Sequence, residues 1–525
     1  MERVREDAQD SSTPTRAEIL GALSLAIDLG LGLPLEHVLR SALIADRLAA
    51  RLGCDEQERA AAFYVTMVMW VGCHADSHEY SRWFGDDIAV RRDSYLVDWN
   101  GLPYARFLLQ NVGRGQPFPH RILIAGALLR NTRGNLTRMV QSHCGSAGLL
   151  AERIGLGDQV RDALAFTFER WDGKGLPDGV SGDAIPVALR IAQVADVSEV
   201  HHRLHGISGA VDTARQRRGG QFDPAVVDAL VAEPESILVG GDLNAWQAAV
   251  ERAPDAQRPV QARELTALVG ALGDFVDLKS PFTAGHSRGV ANLAGAAAAH
   301  AGLSESDVSL LTRAGHLHDL GRIGVSNLIW EKTTPLMTAE RERVQLHPYL
   351  TGRILSQVPG LSRESGLAAN HHERLDGSGY PRGLSGSELT LHEQILAAAD
   401  LFHSSLEPRP YRSAYDRAGA AQRVREAVAA KQLRGDAVDA VLQAAGQNQP
   451  RRGSWPDGLT NREVEILRLV AQAQGTKDIA RSLSLSEKTV RNHLEHVFAK
   501  IGVKSRVGAS LYAVDHGLVN PSRVS

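Results

Sequence analysis

The chain repeats one passage. Glu169-Arg170-Trp171-Asp172-Gly173-Lys174-Gly175-Leu176-Pro177 returns as Glu373-Arg374-Leu375-Asp376-Gly377-Ser378-Gly379-Tyr380-Pro381. The offset of 204 residues between Asp172 and Asp376 also separates His143 from His347 and Asp196 from Asp400. Farther on, Val227-Asp228-Ala229 answers to Val438-Asp439-Ala440 at an offset of 211. An offset held over three landmarks marks a tandem duplication, so the fold of one copy constrains the other. Upstream the offset widens to 243 for Asp76 and Asp319 and to 249 for His37 and His286. The first copy therefore carries about 40 extra residues between Asp76 and His143, and Asn100, Gly101, Gly113, Gly115 and Pro117 there read as a long loop or inserted segment.

Both copies read as helical. Residues 288–301 and 418–430 are Ala/Leu-rich, show no strand-like alternation, and lie between breakers at Lys279-Ser280-Pro281, Gly360 and residues 376–386. Aromatics are 5% of the chain, which suits small-residue helix packing better than a sandwich or barrel. The expected fold class is all-α, with tandem helical domains followed by a small C-terminal helical module. The 525 residues exceed a single core. Breakers divide them into a disordered N-terminus at 1–16, a first copy at 17–234, a connector at 235–262, a second copy at 263–446, a linker at 447–457 and the module at 458–520.

Cys54, Cys73 and Cys144 show no paired spacing, which argues for a reducing cytosol. The N-terminus has no apolar h-region, and the apolar run at 60–73 is too short to cross a bilayer and reads as a buried helix. The expectation is a cytoplasmic protein with no membrane partner. Charge is unevenly spread: residues 451–525 hold twelve Lys/Arg against seven Asp/Glu, a net of +5, so the rest carries −8 of the total −3. A basic tail on an acidic body points to a nucleic-acid module joined to something else.

The second copy concentrates metal-ligand types. His318-Asp319 closes an apolar helical stretch, His371-His372-Glu373 precedes the repeated Gly-rich loop, and His286, His347 and Asp400 stand alone. Imidazole with carboxylate suits Fe, Mn, Zn and similar divalent ions. Adjacent histidines on one helix would point about 100° apart, so a shared ion requires one to lean, or two ions to sit nearby. Taken singly, a histidine such as His300 or His316 reads as a satisfied core group; seven candidates in one frame read as ligands.

His318-Asp319, His371-His372-Glu373 and the run from Asp376 to Pro381 resemble the HD-GYP family over residues 265–445. Its members are helical metal-dependent phosphohydrolases that cleave cyclic di-GMP. The resemblance implies one metal site of His286, His318, Asp319 and Asp400. It implies a second of His347, His371 and His372 sharing Asp319, with Asp376, Gly379, Tyr380 and Pro381 on the substrate side. Two divalent ions, Fe or Mn or similar, can activate water and stabilise both oxygens of an in-line displacement. Family members usually place Lys three residues after the Asp. Here Arg322 stands there, a cation that can grip phosphate bidentately but cannot give up its proton. Asp319 and Arg322 are the catalytic candidates.

The first copy is eroded. It keeps His37, His74, Asp76, His143 and Asp196, but His74-Ala75-Asp76 has an extra residue, Thr167-Phe168 stand for His371-His372, and Leu176 stands for Tyr380. Phe cannot ligate, so a structural or sensing role is expected.

In the tail, Thr460 and Glu463 form a capping-box signature, a short segment follows at 476–483, and Ser486 caps a third helix. On that helix Val490, Leu494, Val497 and Ile501 make one face; Lys488, Arg491, Asn492, His493, His496 and Lys500 make the other. Leu459-Thr460-Asn461-Arg462-Glu463, Asp478-Ile479-Ala480 and the run from Ser486 to His493 closely resemble the LuxR/GerE helix-turn-helix. By that resemblance 487–501 is the recognition helix, and Thr476, Lys488, Thr489, Arg491, Asn492, His493 and Lys500 are the DNA-facing candidates.

The sequence thus reads as a transcriptional regulator with a degenerate HD domain, a metal-dependent HD-GYP phosphodiesterase domain and a DNA-binding module. The partners are DNA and a cyclic dinucleotide, with room for a homodimer. Two alternatives stay open: a non-catalytic transcription factor that senses a nucleotide through an inactive HD-GYP fold, and a phosphohydrolase acting on another nucleotide.

Overall fold

The structure is a computed structural model. It describes residues 13–99, 101–114, 116–130, 132–240, 244–254, 258–447, 455–483, 485–519, with side chains left out at 127–133 and 461. Most of the expected disordered N-terminus and linker, at 1–12 and 448–454, lies outside the described residues. Among the described residues there is no β-strand, only four isolated bridges, in agreement with the all-α expectation. Among the described residues no helix is long and apolar enough to cross a membrane. The chain divides into two compact units, one of Thr13–Val260 with Ser326–Leu328, the other holding Gln261–Val325 and Ile329–Ser525.

In the first unit, helix Arg16–Leu31 starts on a capping box of Thr15 and Glu18, so order begins earlier than the sequence reading placed it. The apolar run at 60–73 ends helix Glu56–Val68, whose residues from Ala61 are all buried, and then turns through Val71–His74. The extra segment, read as a long loop or an inserted segment, is an inserted set of helices, Ser77–Phe84, Asp87–Ser94, Gly101–Asn111 and Phe118–Arg130. The stretch read as a connector contains helices Pro234–Leu238 and Ala245–Arg252, and the Trp246 ring lies where a Cβ on Gly21 would be, at 2.9 Å. Turn-rich composition signalled a linker there, but Trp246, Ala245 and Ala249 bury a face and hold it to the first unit.

In the second unit, helices His286–His300 and Glu305–Leu317 pack very closely. A Cβ on Gly315 would sit 2.5 Å from the Ala291 Cα, so the Ala/Gly composition is what lets the backbones approach. Val290, Ala294, Leu311 and Ala314 join Ile395, Phe402, Val424 and Val441 in one core. This packing brings two helix ends, at His286 and at His318, together with Asp400 in the middle of a third helix. The C-terminal module has its own core of Val464, Leu467, Ile479, Val490, Val497 and Ala509.

Candidate functional site

The seven ligand candidates of the second copy come from separate elements. His286 opens helix His286–His300, His318 and Asp319 follow helix Glu305–Leu317, His347 opens His347–Leu355, and Asp400 lies within Leu391–Ser405. His371 caps helix Ser362–Asn370, with His372 in the turn beyond. The expectation that these two project from one helix is therefore corrected. The chain has left the helix, and the two ring centroids lie 4.1 Å apart.

Local backbone sets the tautomers. His318 Nδ1 donates to the Gly315 carbonyl at 2.8 Å, His347 Nδ1 to Val344 at 2.6 Å, and His371 Nδ1 to Ala368 at 2.6 Å. Each ring is thereby oriented with Nε2 left as a lone-pair donor, the arrangement that metal-binding histidines use. His318 Nε2 is buried without a hydrogen-bond partner, and the Nε2 atoms of His347 and His371 face each other at 3.3 Å. Two lone pairs at that distance call for a cation between or beside them.

Asp319 stands between two histidine groups. Its Oδ2 is 3.7 Å from His286 Nε2 and 3.8 Å from His318 Nε2; its Oδ1 is 3.2 Å from His347 Nε2 and 3.9 Å from His371 Nε2. Asp400 places Oδ1 3.4 Å from His286 and Oδ2 3.9 Å from His372. Donor atoms converge in the sets His286-His318-Asp400, His347-His371-His372 and His318-Asp319-His371. His316 is buried outside these sets.

Burial alone would raise the Asp319 carboxyl, but His318, His347 and Arg322 hold it well below the usual carboxylate range. Asp400 is likewise driven up by burial and, more strongly, down by His286 and His372. Burial, with its His318 and His347 neighbours, pushes His371 down to about 3, and burial also lowers His318 and His372. Ionised carboxylates thus stand beside His318, His371 and His372 held neutral, the donor types a divalent cation requires, whereas Glu407 and Asp400 push His286 up to about 10. These residues fit the metals that HD domains use.

Sequence reasoning missed three residues. Glu407 reaches His286 Nδ1 at 3.0 Å, while Arg409 and His403 bind the same carboxylate. His286, His403 and Glu407 form a further convergent donor set. His403 lies three residues after Asp400 on the same helix and Glu407 two residues past that helix's end, a weak signal in the sequence. Glu373 is fully buried and accepts from the backbone N–H groups of Arg382 and Leu384, which folds the Gly-rich loop back on itself.

In that loop a Cβ on Gly379 would lie 2.4 Å from the Arg374 nitrogen, so only glycine fits. Tyr380 stacks near His372, centroids 4.7 Å apart, and burial pushes its hydroxyl up, keeping it a donor. Pro381 follows it directly. Asp376, a substrate-side candidate, has an exposed carboxylate that accepts from the Ser378 N–H and hydroxyl and so shapes the turn. Arg322 packs its guanidinium over Trp330 at 4.0 Å and donates to Asp319 Oδ2 at 3.1 Å.

The first copy retains the scaffold without the ligand set. His37 Nε2 is 3.0 Å from Asp196, and Glu199 takes its Nδ1, as Glu407 does for His286. His143 is turned the other way from His347, with Nε2 on the Met69 carbonyl at 2.7 Å. Thr167 bonds the Leu164 carbonyl, and Phe168 packs edge-on against His143.

In the C-terminal module, Thr460 and Glu463 form the capping box, Thr476 starts helix Thr476–Ser482, and Ser486 accepts from Thr489 N–H to begin Glu487–Lys500. Lys488, Arg491 and Asn492 are exposed, and Thr476, Thr489 and His493 half-buried. Lys500 departs from that face: its Nζ donates to Glu463 at 2.7 Å and to the Gly458 carbonyl, closing the helix onto the capping box. In the same unit Arg288, two residues after His286, binds Asp274 and also Asp515 of the last helix, at 3.0 Å.

The HD domain profile matches residues 271–433, and that of bacterial regulatory proteins of the luxR family matches 457–513. A 3'3'-cGAMP-specific phosphodiesterase of Vibrio cholerae is 33% identical over 404 residues, 76% of this chain and 88% of that protein. A cyclic di-GMP phosphodiesterase response regulator of Xanthomonas campestris is 34% identical over 158 residues, 30% of this chain and 42% of its own length. The crystal structure of a cyclic GMP-AMP specific phosphodiesterase of Vibrio cholerae superposes with a TM-score of 0.57 at 26% identity, covering 83% of this chain and 99% of that one.

Proposed function

The chain belongs to the HD-GYP family of phosphodiesterases and carries a LuxR-type domain, and on that premise we propose that its second copy hydrolyses a cyclic dinucleotide while its last module binds DNA. The observation that carries the first half is Asp319, whose two oxygens face two separate histidine groups. One divalent ion would be held by His286, His318, Asp319 and Asp400, and another by His347, His371, His372 and Asp319. Such ions supply Lewis-acid stabilisation of phosphate charge and an activated water. The chain's own residues do the rest. Arg322, kept planar against Trp330, offers its remaining N–H groups to a phosphate oxygen. Tyr380 offers a protonated hydroxyl at the mouth. Glu373 and Gly379 hold the loop that positions Tyr380.

The substrate class is a 3'3'-linked cyclic dinucleotide. The family resemblance implies cyclic di-GMP; the relative matching most of its own length is named for 3'3'-cGAMP, so both belong in the test. One observation favours a second reading, nucleotide sensing without turnover: Arg322 stands where the family usually has Lys. Hydrolysis of both dinucleotides with Mn²⁺ or Fe²⁺ separates the readings, since binding without product supports the sensor.

The DNA-binding half is supported by the family match and by exposed Lys488, Arg491 and Asn492 on one helix. Cations contact phosphate, and Asn can read adenine in the major groove. We assign the first copy to roughly 17–234 with its packed extension, the second to 263–446 and the module to 458–520. The protein works in the cytoplasm by this reading.

A further inference from the structure

The first copy contains a cavity of about 160 Å³ in the place its ligand set vacated. Its walls include Trp70, Trp99, Phe168 and His143, with Arg170, Lys174 and Leu176 from the repeated loop. In the 204-residue register Phe168 stands for His372, Leu176 for Tyr380 and Lys174 for Ser378. The loop itself is preserved. Glu169 accepts from the N–H groups of Asp178 and Gly179, as Glu373 does from Arg382 and Leu384. A Cβ on Gly175 would collide with the Glu169 Cα at 2.5 Å, matching Gly379 against the Glu373 Cα at 2.5 Å. Trp70 comes from the turn before His74, and Trp99 from the segment the second copy lacks. The duplication has therefore kept the mouth of a nucleotide-cleaving site and replaced its metal-binding floor with aromatic rings.

The chemistry of the lining selects a ligand. Trp99 and Phe168 lie nearly parallel, at 28°, with centroids 5.8 Å apart, and Trp70 stands edge-on to both. Such faces favour a flat π-system. Trp70 is 7% exposed, and its Nε1 is buried with no hydrogen-bond partner among the described residues. On the same wall Asp76 Oδ1 also lacks one, while Asp76 Oδ2 lies 3.6 Å from His143 Nδ1. A buried donor left unpaired is costly, so a ligand carrying an acceptor recovers that cost. The volume is below the roughly 300–1,000 Å³ of drug-sized clefts, so it admits one ring system and not a whole cyclic dinucleotide. Three cations stand by it: Arg91, buried and paired with Asp87, Arg170, buried and fixed by Asp98 and Asp172, and Lys174, whose side chain is 64% exposed and only 3.7 Å-paired with Asp172. An ion pair that exposed binds weakly, so Lys174 is available to an anion.

We propose that the first copy is a binding site for a purine nucleotide, the base held among Trp70, Trp99 and Phe168 and the phosphate met by Lys174. The choice of a nucleotide over other flat anions rests on the reading of the second copy as a cyclic dinucleotide phosphodiesterase. With no ligand set, the site retains its ligand uncleaved, and the hydrolysis products are the nearest source of such ligands.

The test is a tryptophan-fluorescence titration of the full chain with GMP, AMP and guanosine, in wild type, Tyr380→Ala, Trp99→Ala, Trp70→Phe and Lys174→Ala, each checked by thermal melting. We expect saturable quenching by GMP or AMP that survives Tyr380→Ala, weakens at least tenfold in Trp99→Ala and is reduced in Trp70→Phe, which keeps a ring but loses the N–H. Lys174→Ala, on the surface, should weaken the nucleotide and leave guanosine unchanged. No saturable binding of either nucleotide, or binding indifferent to both Trp99→Ala and Lys174→Ala, overturns the proposal. Hydrolysis of a cyclic dinucleotide by the same preparation is measured alongside: turnover without mononucleotide binding sinks this site alone and leaves the second copy's assignment standing.

Discussion

Glu407 Oε2 lies 3.0 Å from His286 Nδ1, on the opposite edge of the ring from Asp319 and Asp400. The first copy repeats the arrangement with Glu199 on His37, although Glu199 aligns with His403, not with Glu407. The carboxylate that orients the first histidine has thus moved along the chain while its place in space persists. Glu407→Gln should weaken metal retention by about 10–100-fold, the usual effect of losing such an outer partner. Metal titration of the variant checks this, and excess Mn²⁺ should restore part of the activity; a purely structural role would show as lost folding with no metal rescue.

On the DNA side, Lys488→Ala or Arg491→Ala should cost about 1–3 kcal/mol on a cognate site if the side chain reads a base. A phosphate contact would instead weaken all sequences alike and flatten the salt dependence. Lys500→Ala should act differently, lowering the melting temperature of the module through its lost bond to Glu463 more than it changes sequence preference. Gel shifts at two salt concentrations, with melting curves, separate these outcomes.

Arg288 gives the two functions a physical link, because it follows His286 by two residues and bonds Asp515 in the last helix. A ligand can shift DNA affinity only through a contact that differs between bound and free states. We expect a non-hydrolysable cyclic dinucleotide to change DNA affinity in wild type and to lose that effect in Asp515→Ala, with hydrolysis unchanged in the variant. Equal affinities with and without the ligand in both proteins would mean that the functions merely share a chain.

Much of the site was legible because duplication supplies its own alignment: Asp172/Asp376, His143/His347 and Asp196/Asp400 fixed the frame, and motif residues filled it. Legibility ended where tertiary packing decides. Asp376 sits inside the motif and bonds within its own turn, and Lys500, nine residues and so about 180° round the helix from Arg491, reaches back to Glu463. Glu407 carried no motif signal, since a residue that acts through a neighbour's far ring edge is set by fold and not by spacing. The first copy's extra helices hid behind Gly and Pro, which mark breaks equally well between loops and between short helices.

Asp28 offers a pH test of the first copy. Burial raises its carboxyl to about 8, against the pull of His37 and the Val38 N–H, and its Oδ2 is buried without a partner. The unfolded value is about 3.9. A carboxyl raised on folding is uncharged and costs nothing below that value, and its penalty grows as pH climbs toward 8, by about 1.4 kcal/mol per unit. Asp28→Asn should therefore gain on wild type in melting temperature between pH 5 and about 8. A constant difference across that range would show that the carboxyl is already ionised in the fold.

The most direct measurement is hydrolysis of cyclic di-GMP and 3'3'-cGAMP by the metal-loaded full chain, with elemental analysis of the same sample, in wild type and in His371→Ala/His372→Ala. The account predicts about two divalent ions per chain, a linear or mononucleotide product from at least one substrate, and loss of most metal and all turnover in the double variant. Full metal content and undiminished turnover in the double variant would contradict it.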